Sequence, residues 1–144
     1  MQRLPHAVIG EINAALDQMH EDCRAVGKKL YQVFRPERNN VSTQVRNLEQ
    51  VTYSAVRIGQ VEQFLKNQMG RATDNGKAWR QVGPELLTQL DKLRSTAEEL
   101  RHRCKELDEA HALALRLQLA RGWIRMVVAE YMYQFALQQM ERAS

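Results

Sequence analysis

Cysteine is scarce: Cys23 and Cys104 stand far apart with no CxxC spacing, and Met1–His6 has no signal-type apolar core. A disulfide scaffold is excluded, and a reducing compartment, the cytoplasm, is expected. No apolar run approaches the roughly 18 residues that span a bilayer, so no membrane partner is expected. Three prolines and seven glycines in 144 residues leave few places where a long helix must break. Catalytic signatures are missing as well. There is no GxSxG, no glycine-rich phosphate loop, no HExxH and no paired CxxC, and both cysteines fall on apolar heptad positions, where a thiol packs as a small hydrophobe. Neither an enzyme nor a cofactor is expected.

What is present is helical periodicity. Ile9, Ile12, Leu16, Met19, Cys23, Val26, Leu30 and Val33 recur at alternating spacings of 3 and 4, a heptad seam that starts behind Pro5 and stops at Arg35-Pro36-Glu37-Arg38-Asn39-Asn40. Ser42 or Thr43 caps a second helix with Leu48, Val51, Ala55, Ile58, Leu65 and Met69 on its buried stripe, ending at Gly70. Asp74-Asn75-Gly76 reads as a turn, with a short Lys77–Val82 turn after it. Gly83-Pro84 opens a third segment with Leu86, Leu90, Leu93, Ala97, Leu100, Cys104, Leu107 and His111 in seam. A break near Asp108 precedes a last stripe of Leu113, Leu117, Ala120, Ile124, Val127, Tyr131 and Phe135. No strand-like alternation or internal repeat competes. The expected fold is one all-α domain over residues 1–144, an antiparallel bundle of four to five helices.

A hydrophobic fraction of 44% with 26% charged residues is globular, and the net charge of +4 permits an anionic partner without requiring one. The charge is uneven. Residues 41–82 carry six basic and three acidic side chains, against five and seven in residues 83–112. Around Glu98-Glu99, pairing with Arg101, Arg103 or Lys105 makes an ordinary solvated face. Asp17-x-x-His20 and Asp108-x-x-His111, with Glu62 and Glu130, have the residue types of a carboxylate-bridged metal bundle. Aspartate is one methylene short of the usual reach and His20 lies off the seam, so no metal is expected. A zinc set of His20, Cys23, His102 and Cys104 is weaker still, because His102 and Cys104 point to different helix faces.

The basic stretch is the better lead. Arg46, Arg57, Lys66, Asn67, Gln68, Arg71, Lys77, Trp79 and Arg80 combine phosphate-neutralising cations with one aromatic that, if exposed, stacks on a base; the residues alone equally describe, and by charge favour, an ordinary solvated loop with Trp79 packed on the bundle end. The densest part is Lys66 to Arg80. Arg46 and Arg57 do not share a clean line with Asn67.

Val41-Ser42-Thr43-Gln44-Val45-Arg46-Asn47-Leu48 resembles the helix-opening motif of the small helical subunit of type III-A CRISPR effector complexes. Leu65-Lys66-Asn67-Gln68-Met69-Gly70-Arg71 and Tyr131-Met132-Tyr133-Gln134-Phe135 stand where that family has a basic helix end closing in Gly-Arg and an aromatic C-terminal helix. The run before Gly-Arg is shorter here than in the family, and the Leu86–His111 seam is longer. The resemblance implies a non-catalytic ribonucleoprotein subunit, present in several copies beside other protein subunits. It would touch a guide–target RNA duplex through its backbone while base pairing supplies specificity. By that resemblance Arg46 and Arg71 are RNA-binding; Lys66, Lys77, Trp79 and Arg80 join them from local charge. The alternative is a helical adaptor that binds partner helices, or itself, through exposed parts of its seams.

Overall fold

Six helices account for most of the chain in the computed structural model, which describes residues 4–36, 40–104 and 107–143. They are α1 (His6–Gln18), α2 (His20–Val33), α3 (Thr43–Ser54), α4 (Ile58–Met69), α5 (Asp74–Arg103) and α6 (Glu109–Ala143). Among the described residues there is no β-strand, and the fold is an all-α bundle. Of the expected first loop, residues 37–39 lie outside the described residues, as does Lys105; Arg35, Pro36 and Asn40 are non-helical.

The first seam forms one rod with a joint. At Met19 the backbone (φ −96°, ψ 7°) strays only slightly from helical, and its carbonyl still accepts from Cys23 N–H. Ile12, Leu16, Cys23, Val26 and Leu30 are buried as the spacing predicts, but Ile9 faces out and Val8 takes its place inside.

The second predicted helix is two. Ala55 (ψ 141°) and Arg57 (φ −140°, ψ 148°) are extended, with neither glycine nor proline to mark the spot. Side chains hold the corner. Arg121 of α6 donates to the carbonyls of Thr52, Tyr53 and Ala55, and Gln60 Oε1 accepts from the N–H groups of Val56 and Arg57. Both sets satisfy helix-end groups that a continuous helix would have satisfied internally.

The opposite correction applies further on. Asp74-Asn75-Gly76 is no turn but the first turn of α5, capped by Thr73 Oγ1 accepting from Gly76 N–H at 3.1 Å, and α5 runs through Gly83-Pro84 without a break. An interior proline costs about 3 kcal/mol. Trp79, Val82, Leu86 and Leu90, all fully buried on either side of it, each return about 1.5–3 kcal/mol. Asp108, by contrast, is the predicted cap: its Oδ1 accepts from His111 N–H and its own N–H donates to His111 Nδ1.

Contacts fix the direction of each rod. Glu62 meets Arg94 and Met69 meets Gly83, so α4 and α5 are antiparallel. Ser42 meets Tyr131 and Tyr53 meets Arg125, so α3 opposes α6. Lys29 meets Glu85 and Phe34 meets Trp79, so α2 opposes α5, while Glu98 meets Arg116 across α5 and α6. The result is five rods, alternating up and down, with α1 and α2 as the first and α6 as the last; α2 and α6 therefore run parallel. At Gly27 they approach so closely that a Cβ would lie 2.6 Å from Glu130 Cβ and 2.7 Å from the Val127 carbonyl.

α6 touches every other helix. Its buried set therefore includes Leu115, Leu119, Trp123 and Val128 as well as the predicted Leu117, Ala120, Ile124, Val127 and Tyr131, whereas Leu113 is half exposed. A helix surrounded on several sides has no single apolar stripe.

Candidate nucleic-acid interface

Up-down alternation sends the end of α2, the start of α3, the end of α4 and the start of α5 to one end of the bundle. Trp79 is the post of that end. Its ring packs on Phe34 of the α2 terminus (centroids 4.6 Å) and edge-on to Phe64 of α4 (6.0 Å), and its Nε1–H donates to Gln44 Oε1 of α3 at 2.8 Å. Trp79 is fully buried. The expectation that it stacks on a nucleobase is therefore corrected: the second turn of α5 points this side chain into the core, where its indole N–H has a partner.

The motif around Ser42 builds the same corner. Ser42 Oγ accepts from Gln44 N–H as the α3 cap, and Ser42 N–H donates to the Tyr131 hydroxyl, which itself donates to the Phe34 carbonyl at 2.7 Å. Burial pushes the Tyr131 phenol above its ordinary range despite the Ser42 bond. Val45 and Leu48 are buried; Arg46 stands exposed between them.

Arg80 closes the α4–α5 connection. Its Nη1 donates to the Met69 carbonyl at 2.7 Å and to the Arg71 carbonyl at 3.0 Å, capping the carbonyl end of α4. Gly76 seats against the Arg71 backbone so tightly that a Cβ there would clash with its carbonyl oxygen. Arg71 and Arg80 thus meet at the α4–α5 junction, with Lys66 and Lys77 on the helix turns that flank it; Gln44 ties the first turn of α3 to Trp79, and Arg46 stands about 200° round that helix from Gln44. All five cations are exposed, and none has a carboxylate within ion-pair distance among the described residues. Arg35 lies over the Tyr31 ring nearby. A groove at this end is lined by Ser42, Thr43 and Gln44 from the start of α3 and Asp74 and Asn75 from the start of α5. Two helix N-termini, whose free N–H groups favour phosphate, open on it; Asp74 is the acid that opposes them. Arg57 belongs elsewhere, at the α3–α4 corner on the opposite end.

The remaining candidate residues are engaged separately. Glu62 pairs with Arg94, whose guanidinium is held above its usual range by that bond, and Glu130 pairs with Arg24 at 3.7 Å. Glu98 takes Arg101, His102 and Arg116, and Arg101 beside it lowers its carboxyl. His111 is spent on the Asp108 cap. No group of three or more His, Cys, Asp or Glu able to hold a metal exists among the described residues. Cys23 is buried and its thiol is pushed up to about 12, first by burial and then by Asp22, which leaves it a poor nucleophile.

Sequence reasoning missed Arg121 and Arg125. One turn apart on α6, they were visible only as two cations in an apolar run; their carbonyl and tyrosine partners are nearly 70 residues away. No described helix is long and apolar enough to cross a membrane. Comparison with protein-family models, curated proteins and solved structures finds no match to this chain.

Proposed function

We propose that the chain is a non-catalytic RNA-binding subunit of an RNA-guided ribonucleoprotein, holding a guide–target duplex by its backbone at the Trp79 end of the bundle. The observation that supports this reading is that Arg46, Lys66, Arg71, Lys77 and Arg80 all stand exposed on helix ends at one end of the bundle, with no carboxylate paired to any of them among the described residues. Cations without acidic partners can bind a polyanion without first breaking an internal ion pair. With Trp79 inside, the corner offers charge and helix N-termini but no stacking platform, so it reads phosphate rather than base. The resemblance of Val41–Leu48 and Gly70-Arg71 to the type III-A CRISPR small subunit points the same way. Other subunits would then supply catalysis. The adaptor alternative would rest on what the core leaves exposed of the seams, such as Ile9.

The test is retention on single-stranded and duplex RNA as salt is raised. Binding should weaken steeply with salt and ignore sequence, and removing Arg46 and Arg71 together should flatten the logarithmic salt slope by about 2. The double variant should melt within a degree or two of the parent. Absence of retention at low salt, or an unchanged slope in that variant, refutes the reading.

A further inference from the structure

At the other end of the bundle, α1 and α6 leave a groove that their own packing does not fill. Leu4, Ile9, Ile12 and Leu16 form its apolar wall, and Gln118, Arg121 and Arg125 its polar edge. Gly122 lies at its base, where α6 comes so close to α1 that an added Cβ would strike Leu16. Ile9 is 45% exposed at the lip, and Tyr53, 56% exposed, stands at the far end under Arg125.

The charge of this groove is one-sided. Its lining contains two arginines and no carboxylate. The arginines differ in availability. Arg121 is spent on the α3 carbonyls, whereas Arg125 is exposed and, among the described residues, meets only the Tyr53 ring (5.9 Å) and hydroxyl (3.3 Å). Glu49 lines the adjoining hollow but forms no ion pair with either arginine. An open apolar trough between two helices, edged by an unpaired cation, suits a third helix whose apolar face carries a carboxylate at its border.

We propose that the α1–α6 groove docks an acidic amphipathic helix of a partner protein, with Leu4 and Ile9 against its apolar face and Arg125 paired to its carboxylate. The site is independent of the RNA reading, since it lies beyond the opposite end of α3, about 18 Å from Ser42 along that helix.

The probe is a synthetic 18-residue amphipathic helix with leucine on one face and glutamate along its border, compared with the same peptide carrying lysine. Fluorescence anisotropy should show saturable binding of the glutamate peptide at least ten-fold tighter than the lysine peptide. Arg125→Glu should invert that preference, and Ile9→Asp should abolish both. Arg125 caps no helix, so Arg125→Glu is expected to keep the parent's circular dichroism. Equal affinity for the two peptides, or a preference that survives Arg125→Glu, overturns the proposal. So does a dimer in light scattering that Ile9→Asp dissolves while neither peptide binds, because a second copy would then be the occupant. RNA retention should be unchanged in Arg125→Glu whichever way the peptide result falls.

Discussion

At the residue scale, neighbouring positions on one helix take opposite roles. Trp79 and Lys77 are two positions apart, yet one is a core post and the other a solvated cation. Trp79→Ala removes the contacts to Phe34 and Phe64 and orphans the Gln44 amide. It should cost about 3–5 kcal/mol in urea unfolding, whereas Lys77→Ala should stay within about 0.5 kcal/mol. Cys23 makes a pH prediction. Its folded pKa of about 12 exceeds the ordinary thiol value, so between about pH 9 and pH 12 the unfolded chain releases a proton that the native chain keeps. Stability contributed below that window is lost as pH rises through it, by at most about 1.4 kcal/mol per pH unit. Urea midpoints of parent and Cys23→Ala measured at pH 8 and pH 10.5 should converge at the higher pH. Parallel curves would show that the thiol is not protected.

At the element scale, two glycines with the same helix propensity should respond in opposite directions. Gly10 has nothing within 4 Å of a new Cβ, so Gly10→Ala should stabilise by about 0.5–1 kcal/mol. Gly27→Ala must push α2 off the Val127 backbone of α6 and should cost about 1–3 kcal/mol. Arg121→Ala tests the α3–α4 corner. It leaves the carbonyls of Thr52, Tyr53 and Ala55 without their donor, and a loss of about 2–3 kcal/mol in thermal or urea unfolding is expected.

Periodicity makes α2, the Leu86–Leu100 part of α5 and the break at Asp108 legible from residue spacing alone, because a buried face repeats at 3.6 residues whatever it packs against. The α3–α4 corner is not legible in that way. Its termini are satisfied by Arg121, which is local only in space. Gly83-Pro84 misleads for a related reason: a local cost of one proline is outweighed by burial on both sides of it. In the candidate site, Arg46, Lys66, Arg71 and Lys77 are legible as exposed cations from their charge and from neighbouring apolar positions. Trp79 is misread because starting the helix at Gly83-Pro84 hides its place in seam with Val82, Leu86 and Leu90.

On the scale of the whole molecule, α6 is the axis on which the other helices rest, and α1 is held more loosely along its groove. Hydrogen exchange should reflect that order. Amides from Leu117 to Val128 should open only with global unfolding, while those of α1 should exchange faster through local opening. Protection of α1 equal to that of α6 would contradict this arrangement. The two ends are also separable in charge: one gathers cations around Trp79, the other sets Arg125 beside an apolar trough.

Composition and spacing by themselves determined that this chain is helical, that its apolar seams build one core and that basic side chains outnumber acidic ones two to one in residues 41–82. Those properties follow from backbone geometry and from the free energy of hiding apolar surface, both local in sequence. Only the tertiary structure decided that the second predicted helix splits into α3 and α4, that α5 runs unbroken through Pro84, that Trp79 is inside and that Arg121 caps a helix of another rod. Each of these depends on which distant groups meet, and a single polar contact across the bundle carries enough free energy to reverse a weak local preference.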